Sequence, residues 1–210
     1  MDNSKPKLVF LDVDRTLFDL LKYRYFMKKK ISEETGMDGI TEEEIYNQTK
    51  TDKEVFVPDY YLSLLSSRVD KQIHDDTRNS LFGSSVLMEY LFPDVSHFLE
   101  QASNITKLGI LSKGDESFQK SKLDSFKNLL ESDKIYIFKD KKTEAQNVIS
   151  QNREFKIYLI DNDPETLEAY KDADSSWTTL LIERYDPLEY NGVFDFKIES
   201  LLSAVEIINK

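Results

Sequence analysis

Leu8-Val9-Phe10-Leu11-Asp12-Val13-Asp14-Arg15-Thr16-Leu17-Phe18 decides how the chain is read. An apolar run leads straight into two carboxylates one residue apart, and a hydroxyl follows. An unbroken apolar run of this length reads as a strand buried on both faces, as parallel strands are. Side chains two apart in an extended chain point the same way. Asp12 and Asp14 therefore share one side at the strand's carboxyl end, where open α/β sheets place their ligands. Two ionised carboxylates this close repel, and a bound cation or a proton on one of them offsets the repulsion. A hard divalent ion takes carboxylates together with phosphate and water oxygens. A protonated carboxyl is a general acid, and an ionised one is a nucleophile. The structural alternative is that both aspartates accept backbone N–H groups of the turn after the strand.

Beyond Phe18 the pattern changes to amphipathic helix and stays so to about Phe92. Residues 20–34 carry Leu20, Leu21, Phe26, Met27 and Ile31, with a stop near Gly36. Thr41 and Glu44 have the spacing of a capping box. Pro58-Asp59 opens a third helix, and residues 73–91 read as one or two more. No strand pattern falls within this segment. Residues 19–92 are thus expected to be an all-helical domain inserted after the first strand, with 1–18 and 93–210 forming one α/β core domain.

From Pro93 onward helices and strands alternate. Helix is expected over 95–103, strand over 107–112, helix over 116–130 capped by Asp115 or Ser117, and strand over 134–138. Thr143 and Gln146 repeat the capping-box spacing before a helix near Glu144. Strand follows over 156–161, and Asp163-Pro164 begins a helix with Pro at its first position. A fifth strand over 177–183 and a closing helix over 198–209 complete the chain. Such alternation implies right-handed crossovers and a doubly wound, Rossmann-like parallel sheet.

Composition narrows the function classes. The chain has 210 residues, with 39 acidic against 28 basic side chains and a net charge of −11. Binding nucleic acid through its phosphates needs a basic face, so no nucleic-acid partner is expected. The nearest basic cluster, Lys22, Arg24, Lys28, Lys29 and Lys30, reads as a solvated helix face. The overall charge also makes a strongly anionic, long-range-steered substrate less natural. Absence of cysteine removes disulfides, thiolate metal sites and cysteine nucleophiles. With His74 and His97 the only histidines, a multi-histidine metal site is not expected. The chain opens into a strand without a signal-peptide core, and no apolar run approaches membrane-spanning length. A cytoplasmic protein with no membrane partner is expected; oligomeric state is not readable.

Polar residues recur where the predicted strands end: Asp12 and Asp14, Ser112, the lysines 139, 141 and 142, and Asp161. In a parallel sheet these ends lie along one edge. Ser112 and its neighbouring amides suit a phosphate oxygen, although a serine after a strand is also an ordinary turn residue. Lys142 precedes Thr143, at a helix start that already favours anions. Asp161 ends an apolar run as Asp12 does and is the best third carboxylate for a cation. Asn162 offers a neutral oxygen, and Asp163 is accounted for as an N-cap.

Taken together these stretches resemble the haloacid dehalogenase (HAD) superfamily, phosphatase branch, over nearly the whole chain. Asp12-Val13-Asp14-Arg15-Thr16 looks like its first motif, Asp-x-Asp-x-Thr. The apolar strand from Leu108 to Ser112 looks like its second, Lys142 or Lys141 like its third, and Tyr158 to Glu165 like its fourth. The helical insertion is similar to the family's helical (C1-type) cap. Arg15 stands where the family often has Gly, and Asn162 where the fourth motif often has a second Asp. The resemblance implies a phosphatase acting on a small phosphorylated metabolite. Asp12 would be the nucleophile and Asp14 the general acid and base. Mg²⁺ would sit on Asp12, Asp14 through its carbonyl, Asp161 and Asn162. Thr16, Ser112, Lys113 and Lys142 would hold the phosphoryl group. A carboxyl acid/base at Asp14 is not something the dehalogenase branch needs.

Other readings share some of these residues. A phosphomutase would use the same core set with a different fate for the phosphoryl group. A non-catalytic protein with a decayed site is encouraged by Asn162 and discouraged by the intact remainder. A phosphate-accepting receiver domain needs its hydroxyl after the acceptor Asp, whereas Ser112 precedes Asp161.

Overall fold

The computed structural model describes residues 5–69, 75–185, 190 and 192–210. Its strands are β1 (Lys7–Leu11), β2 (Lys107–Lys113), β3 (Ile135–Phe138), β4 (Lys156–Asp161), β5 (Thr178–Ile182) and β6 (Phe196–Ile198). They form one all-parallel sheet in the order β3-β2-β1-β4-β5-β6. β1 is central: Leu11 is level with Ile110 of β2 on one side and Ile160 of β4 on the other. Strand order runs outward one way from β1 to β3 and the other way from β4 to β6. The reversal lies between β1 and β4, and a crevice for ligand opens outside the strand ends at such a point.

Between β1 and β2 lie α1 (Leu20–Thr35), α2 (Gly39–Lys53), α3 (Pro58–Val69), α4 (Asp75–Phe82), α5 (Ser84–Met88) and α6 (Val95–Ser103). Further on come α7 (Glu116–Leu123), α8 (Ala145–Ser150), α9 (Pro164–Ala173) and α10 (Leu201–Ile208). The period of two along β1 sorts the layers. Val9 and Leu11 face a core shared with Phe98 and Leu99 of α6 and Leu201 and Ala204 of α10. Leu8 and Phe10 face the opposite core, with Val148 and Ile149 of α8 and Leu167 and Tyr170 of α9. The first core continues without a break into the helical segment through Phe18, Tyr23, Met27 and Tyr61. None of the helices among the described residues is long and apolar enough to cross a membrane.

α1 begins and ends where the pattern predicts. Asp19 caps it through the Lys22 amide, and Gly36 closes it at φ 71°, a left-handed turn that glycine takes at no steric cost. α2 starts earlier than expected. The Thr41–Glu44 capping box does not form, because Asp38 is the better-placed acceptor. Its Oδ1 takes the Ile40 and Thr41 amides, and Thr41 spends its hydroxyl on Asp38 Oδ2. The Thr143–Gln146 box also fails, since the Thr143 hydroxyl donates to the Asp140 carbonyl and α8 begins at Ala145. The helix expected over 116–130 stops at Leu123, and a short 3₁₀ turn at Lys127–Leu129 carries the chain back toward β3. β6 was not foreseen, and it takes the start of the predicted closing helix, so α10 begins only after Ser200. Part of the stretch expected as helix from 73, including His74, lies outside the described residues.

Inside the helical segment one buried carboxylate ties three helices. Glu42 of α2 accepts both arms of the Arg24 guanidinium from α1, at 3.0 and 3.1 Å. The Tyr61 hydroxyl of α3 donates to the same carboxylate. The Arg24 guanidinium carbon also lies over the Tyr46 ring, 3.5 Å from its centroid.

Asp94, just before α6, fastens the core together. Its Oδ2 accepts from Arg184 Nη1, the Ser200 hydroxyl and the Leu201 amide, each at 2.9 Å. Burial pushes this carboxyl up, but the Arg184 guanidinium and the Leu201 and Ser200 donors outweigh it and hold it below the usual range. A carboxyl depressed in the folded state contributes stability above its unfolded value, lost as pH falls through the folded one. Asp94→Asn should lower stability in urea at pH 7 by about 1–3 kcal/mol. It should also flatten the loss of stability below about pH 4. An unchanged acid limb would show that Asp94 does not carry this linkage.

Candidate active site

The Asp12 amide extends the β1–β4 ladder by donating to the Ile160 carbonyl at 3.0 Å. The chain then folds on itself. The Val13 carbonyl receives the Thr16, Leu17 and Phe18 amides, and the Arg15 amide donates to the Phe18 carbonyl. Arg15 sits at φ 64°, a left-handed conformation that a side chain makes costly by roughly 1–2 kcal/mol. That geometry is the physical reason for glycine at this place in the motif the stretch resembles. Arg184 pins the loop by donating Nε and Nη2 to the Thr16 carbonyl, at 3.0 and 2.8 Å.

Asp12 ends up buried beside Asp161 at the neighbouring strand end, and Lys141 reaches in between them. Its Nζ lies 2.7 Å from Asp12 Oδ1 and 2.6 Å from Asp161 Oδ2. Asp161 Oδ1 accepts the Asp163 amide. Lys141 is itself held from behind, as its carbonyl accepts the Tyr170 hydroxyl at 3.0 Å. Burial raises both carboxyls, and Lys141 lowers them only in part. Burial alone would lower the Lys141 ammonium, but Asp12 and Asp161 together raise it, so it stays charged.

The two lysine candidates are thus separated. Lys141 takes the place between the aspartates, while Lys142 points outward to Glu165 at 2.7 Å. The Lys142 amide donates to the Asp140 side chain, and this turn sends consecutive side chains in opposite directions. Sequence offered both, because a lysine run carries no sign of which member turns inward.

Asp14 lies half-buried on a different wall. Lys122 Nζ reaches its Oδ1 at 2.6 Å, and Gln119 Nε2 reaches its Oδ2 at 2.8 Å. The Lys122 stem is buried between Phe18 and Phe118, whose ring centroids lie 4.7 and 4.3 Å from the ammonium. Gln119 also donates to the Lys113 carbonyl, and a Cβ on Gly114 would collide with its amide. Gln119 and Lys122 were missed by sequence reading. The available signal was their spacing of three on the helix that leaves β2, on the same side as buried Phe118 and Leu123.

Asp12, Asp14, Lys113, Lys141, Asn162 and Asp163 line a cavity of about 350 Å³. Its other walls come from the helical segment, chiefly Tyr23, Met27, Tyr46, Val55 and Phe56. Ser112 and Thr16 are buried next to this edge, and neither hydroxyl oxygen has a hydrogen-bond partner within the protein. Buried polar groups are rarely left so. Asp163 caps α9 through the Glu165 amide and the Thr166 hydroxyl. His97 pairs with Gln101 at the surface, away from this edge.

The donor set suits a hard divalent cation. With both ionised, Asp12 and Asp161 would set two negative charges against one ammonium, and burial raises both carboxyls in answer; a divalent cation offsets the same excess. Asn162, on the same cavity wall, offers a neutral side-chain oxygen, and the resemblance implies the Asp14 carbonyl as another. Among the described residues no three acidic or histidine side chains gather into a closed metal cage. Mg²⁺ tolerates this, since it binds through one or two carboxylates and keeps water or phosphate oxygens.

No protein-family model matches the sequence, and no curated protein matches it. Solved structures do. A protein of Burkholderia xenovorans described as haloacid dehalogenase-like hydrolase superposes with a TM-score of 0.77 at 21% identity, over 96% of both chains. A HAD-hydrolase of Bacillus subtilis bound to magnesium gives 0.66 at 13%, covering 98% of this chain and 100% of that one. The L-2-haloacid dehalogenase of Xanthobacter autotrophicus, with chloropropionic acid covalently bound, gives 0.65 at 12%, covering 97% and 98%. The chain therefore has the HAD-like α/β fold, with its all-parallel sheet flanked by helices.

Lys141→Met leaves two buried carboxylates without their cation and should cost about 3–5 kcal/mol in urea unfolding without divalent ions. Lys142→Met should stay within about 0.5 kcal/mol. Equal, small losses would mean that Lys141 does not hold Asp12 and Asp161 together.

Proposed function

We propose that this protein is a Mg²⁺-dependent phosphatase that hydrolyses a small phosphorylated metabolite through an aspartyl-phosphate. The observation that carries this reading is the different surroundings of two carboxylates on one loop. Both border the cavity, but Asp12 is buried against a lysine, whereas Asp14 is half-buried and held on both oxygens by Lys122 and Gln119.

In the first half-reaction an Asp12 oxygen attacks phosphorus, and the bond to the leaving oxygen breaks. Asp14 gives that oxygen a proton, so the alcohol leaves neutral. In the second half-reaction Asp14 takes a proton from water. The oxygen of that water attacks phosphorus, and the bond to Asp12 breaks to release inorganic phosphate. Lys141 keeps charge neutral beside the attacking carboxylate, and the free hydroxyls of Ser112 and Thr16 suit phosphoryl oxygens. Bound at Asp12, the Asp14 carbonyl and Asp161, Mg²⁺ would supply charge neutralisation of the phosphoryl group. A halide leaves without a proton, so haloacid chemistry would not use Asp14 as a general acid in the first half-reaction. That favours the ester over the haloacid as substrate. In this reading residues 19–92 act as a cap domain over a core of 1–18 and 93–210.

Release of p-nitrophenol from p-nitrophenyl phosphate should require Mg²⁺, stop in EDTA, and fall by at least about 10³-fold in Asp12→Asn. Turnover that survives both EDTA and Asp12→Asn would overturn the reading. Lys122→Met should lower kcat by roughly 10–100-fold while KM moves less than about twofold. A change confined to KM would place Lys122 outside the handling of Asp14.

A further inference from the structure

The cavity is rich in positive charge on a strongly negative protein. Six basic and four acidic side chains line it, although the chain carries a net charge of −11. Three of the six are committed. Arg24 is spent on Glu42 and Glu43, Lys122 on Asp14, and Lys141 on Asp12 and Asp161. Arg15, Lys50 and Lys113 have no carboxylate at ion-pair distance among the described residues. Arg15 and Lys113 directly follow Asp14 and Ser112 at the sheet edge, so a phosphoryl group accounts for them. Lys50 belongs to α2 in the helical segment, and a phosphoryl group on Asp12 leaves it unexplained.

Lys50 has a natural helical partner four residues on, Glu54. That pairing is broken by the backbone. Glu54 lies at φ 66°, beyond the end of α2, and its carboxylate turns to Lys139 at 3.1 Å. The Lys50 ammonium is left 5.5 Å from the centroid of the Tyr46 ring, one turn earlier on the same helix face. Tyr46, Met27, Val55 and Phe56 of the same segment also line the cavity, with Glu54 among them. A volume of about 350 Å³ is at the small end of ligand sites, which span roughly 300–1,000 Å³.

We propose that Lys50 receives a second anionic group on the leaving group of the substrate. The substrate class is then a compact phosphate monoester with an apolar or aromatic body against Tyr46 and Phe56 and an anion beyond it. This rests on the phosphatase reading and adds the far end of the substrate to it. Local cations reverse the repulsion that the overall charge of the chain would impose on such a molecule.

Two phosphonates, which have no cleavable ester bond, test this by calorimetry on the whole protein with Mg²⁺: phenylphosphonate and 4-carboxyphenylphosphonate. Wild type should bind the carboxylated probe at least about tenfold more tightly, a difference of about 1.4 kcal/mol. Lys50→Met should bring the two affinities together, and Lys50→Arg should keep them apart. Binding of both probes with equal affinity in wild type overturns this inference and leaves the phosphatase reading standing. So does a preference that persists in Lys50→Met. Failure of either probe to bind, with no Mg²⁺-dependent turnover of p-nitrophenyl phosphate, overturns both.

Discussion

One ammonium answers two carboxylates at the centre of this protein. Lys141 reaches Asp12 and Asp161 from a loop after β3, and all three side chains are almost wholly out of water. Removing charged groups from water is costly, and a single cation offsets two anions only in part. The surrounding structure is what makes the arrangement tolerable. β1 and β4 are zipped side by side, so their ends bring the aspartates together, and Tyr170 of α9 anchors the lysine backbone. The incomplete neutralisation is also what makes the site useful. A group of sites with free oxygens, and with spare negative charge when both carboxyls are ionised, favours a divalent ion, and an ion there favours phosphate.

Asp14 stands two residues away and lives in other surroundings. Its partners come from α7, which leaves the neighbouring strand β2, so the loop at 12–18 is held between two strand ends. Arg184 adds a third attachment, since it joins the Thr16 carbonyl to Asp94. The loop that carries both carboxylates is therefore fixed by groups distant in sequence on either side. Precision of this kind suits phosphoryl transfer, where catalysis is chiefly positioning and neutralisation of charge.

The helical segment contributes differently. Its core is continuous with one face of the sheet, and the Arg24–Glu42–Tyr61 network is buried within it. Arg24 looks like a substrate-binding cation when it is considered as a cavity residue alone, yet its whole fork is occupied by Glu42 and Glu43. Lys50 on the next helix, lining the same cavity, keeps its charge available. Net charge summed along the chain gives no hint of this, because carboxylates on the outer surface outweigh the cations gathered inside.

Much of the fold was legible in sequence. Leu8–Leu11, Leu108–Leu111 and Ile157–Ile160 are apolar runs of strand length, and burial on both faces is what such runs require. Gly36 and Pro164 mark helix ends because each restricts or frees the backbone locally. Asp12, Asp14, Ser112 and Asp161 were readable as strand-end polar residues that parallel pairing would bring to one edge. The helix starts at Gly39 and Ala145 were not readable, because the Thr41 and Thr143 hydroxyls donate to Asp38 and to the Asp140 carbonyl instead of capping. Nor was β6, a three-residue strand whose pairing with β5 alone defines it. Lys141 rather than Lys142, Gln119 and Lys122 on Asp14, and the free charge of Lys50 were decided only by tertiary structure. Sequence determines which residues have the chemistry and which backbone states they favour. Burial, turn geometry and the presence of a partner decide which of several like side chains faces the site, and those depend on contacts between residues far apart in the chain.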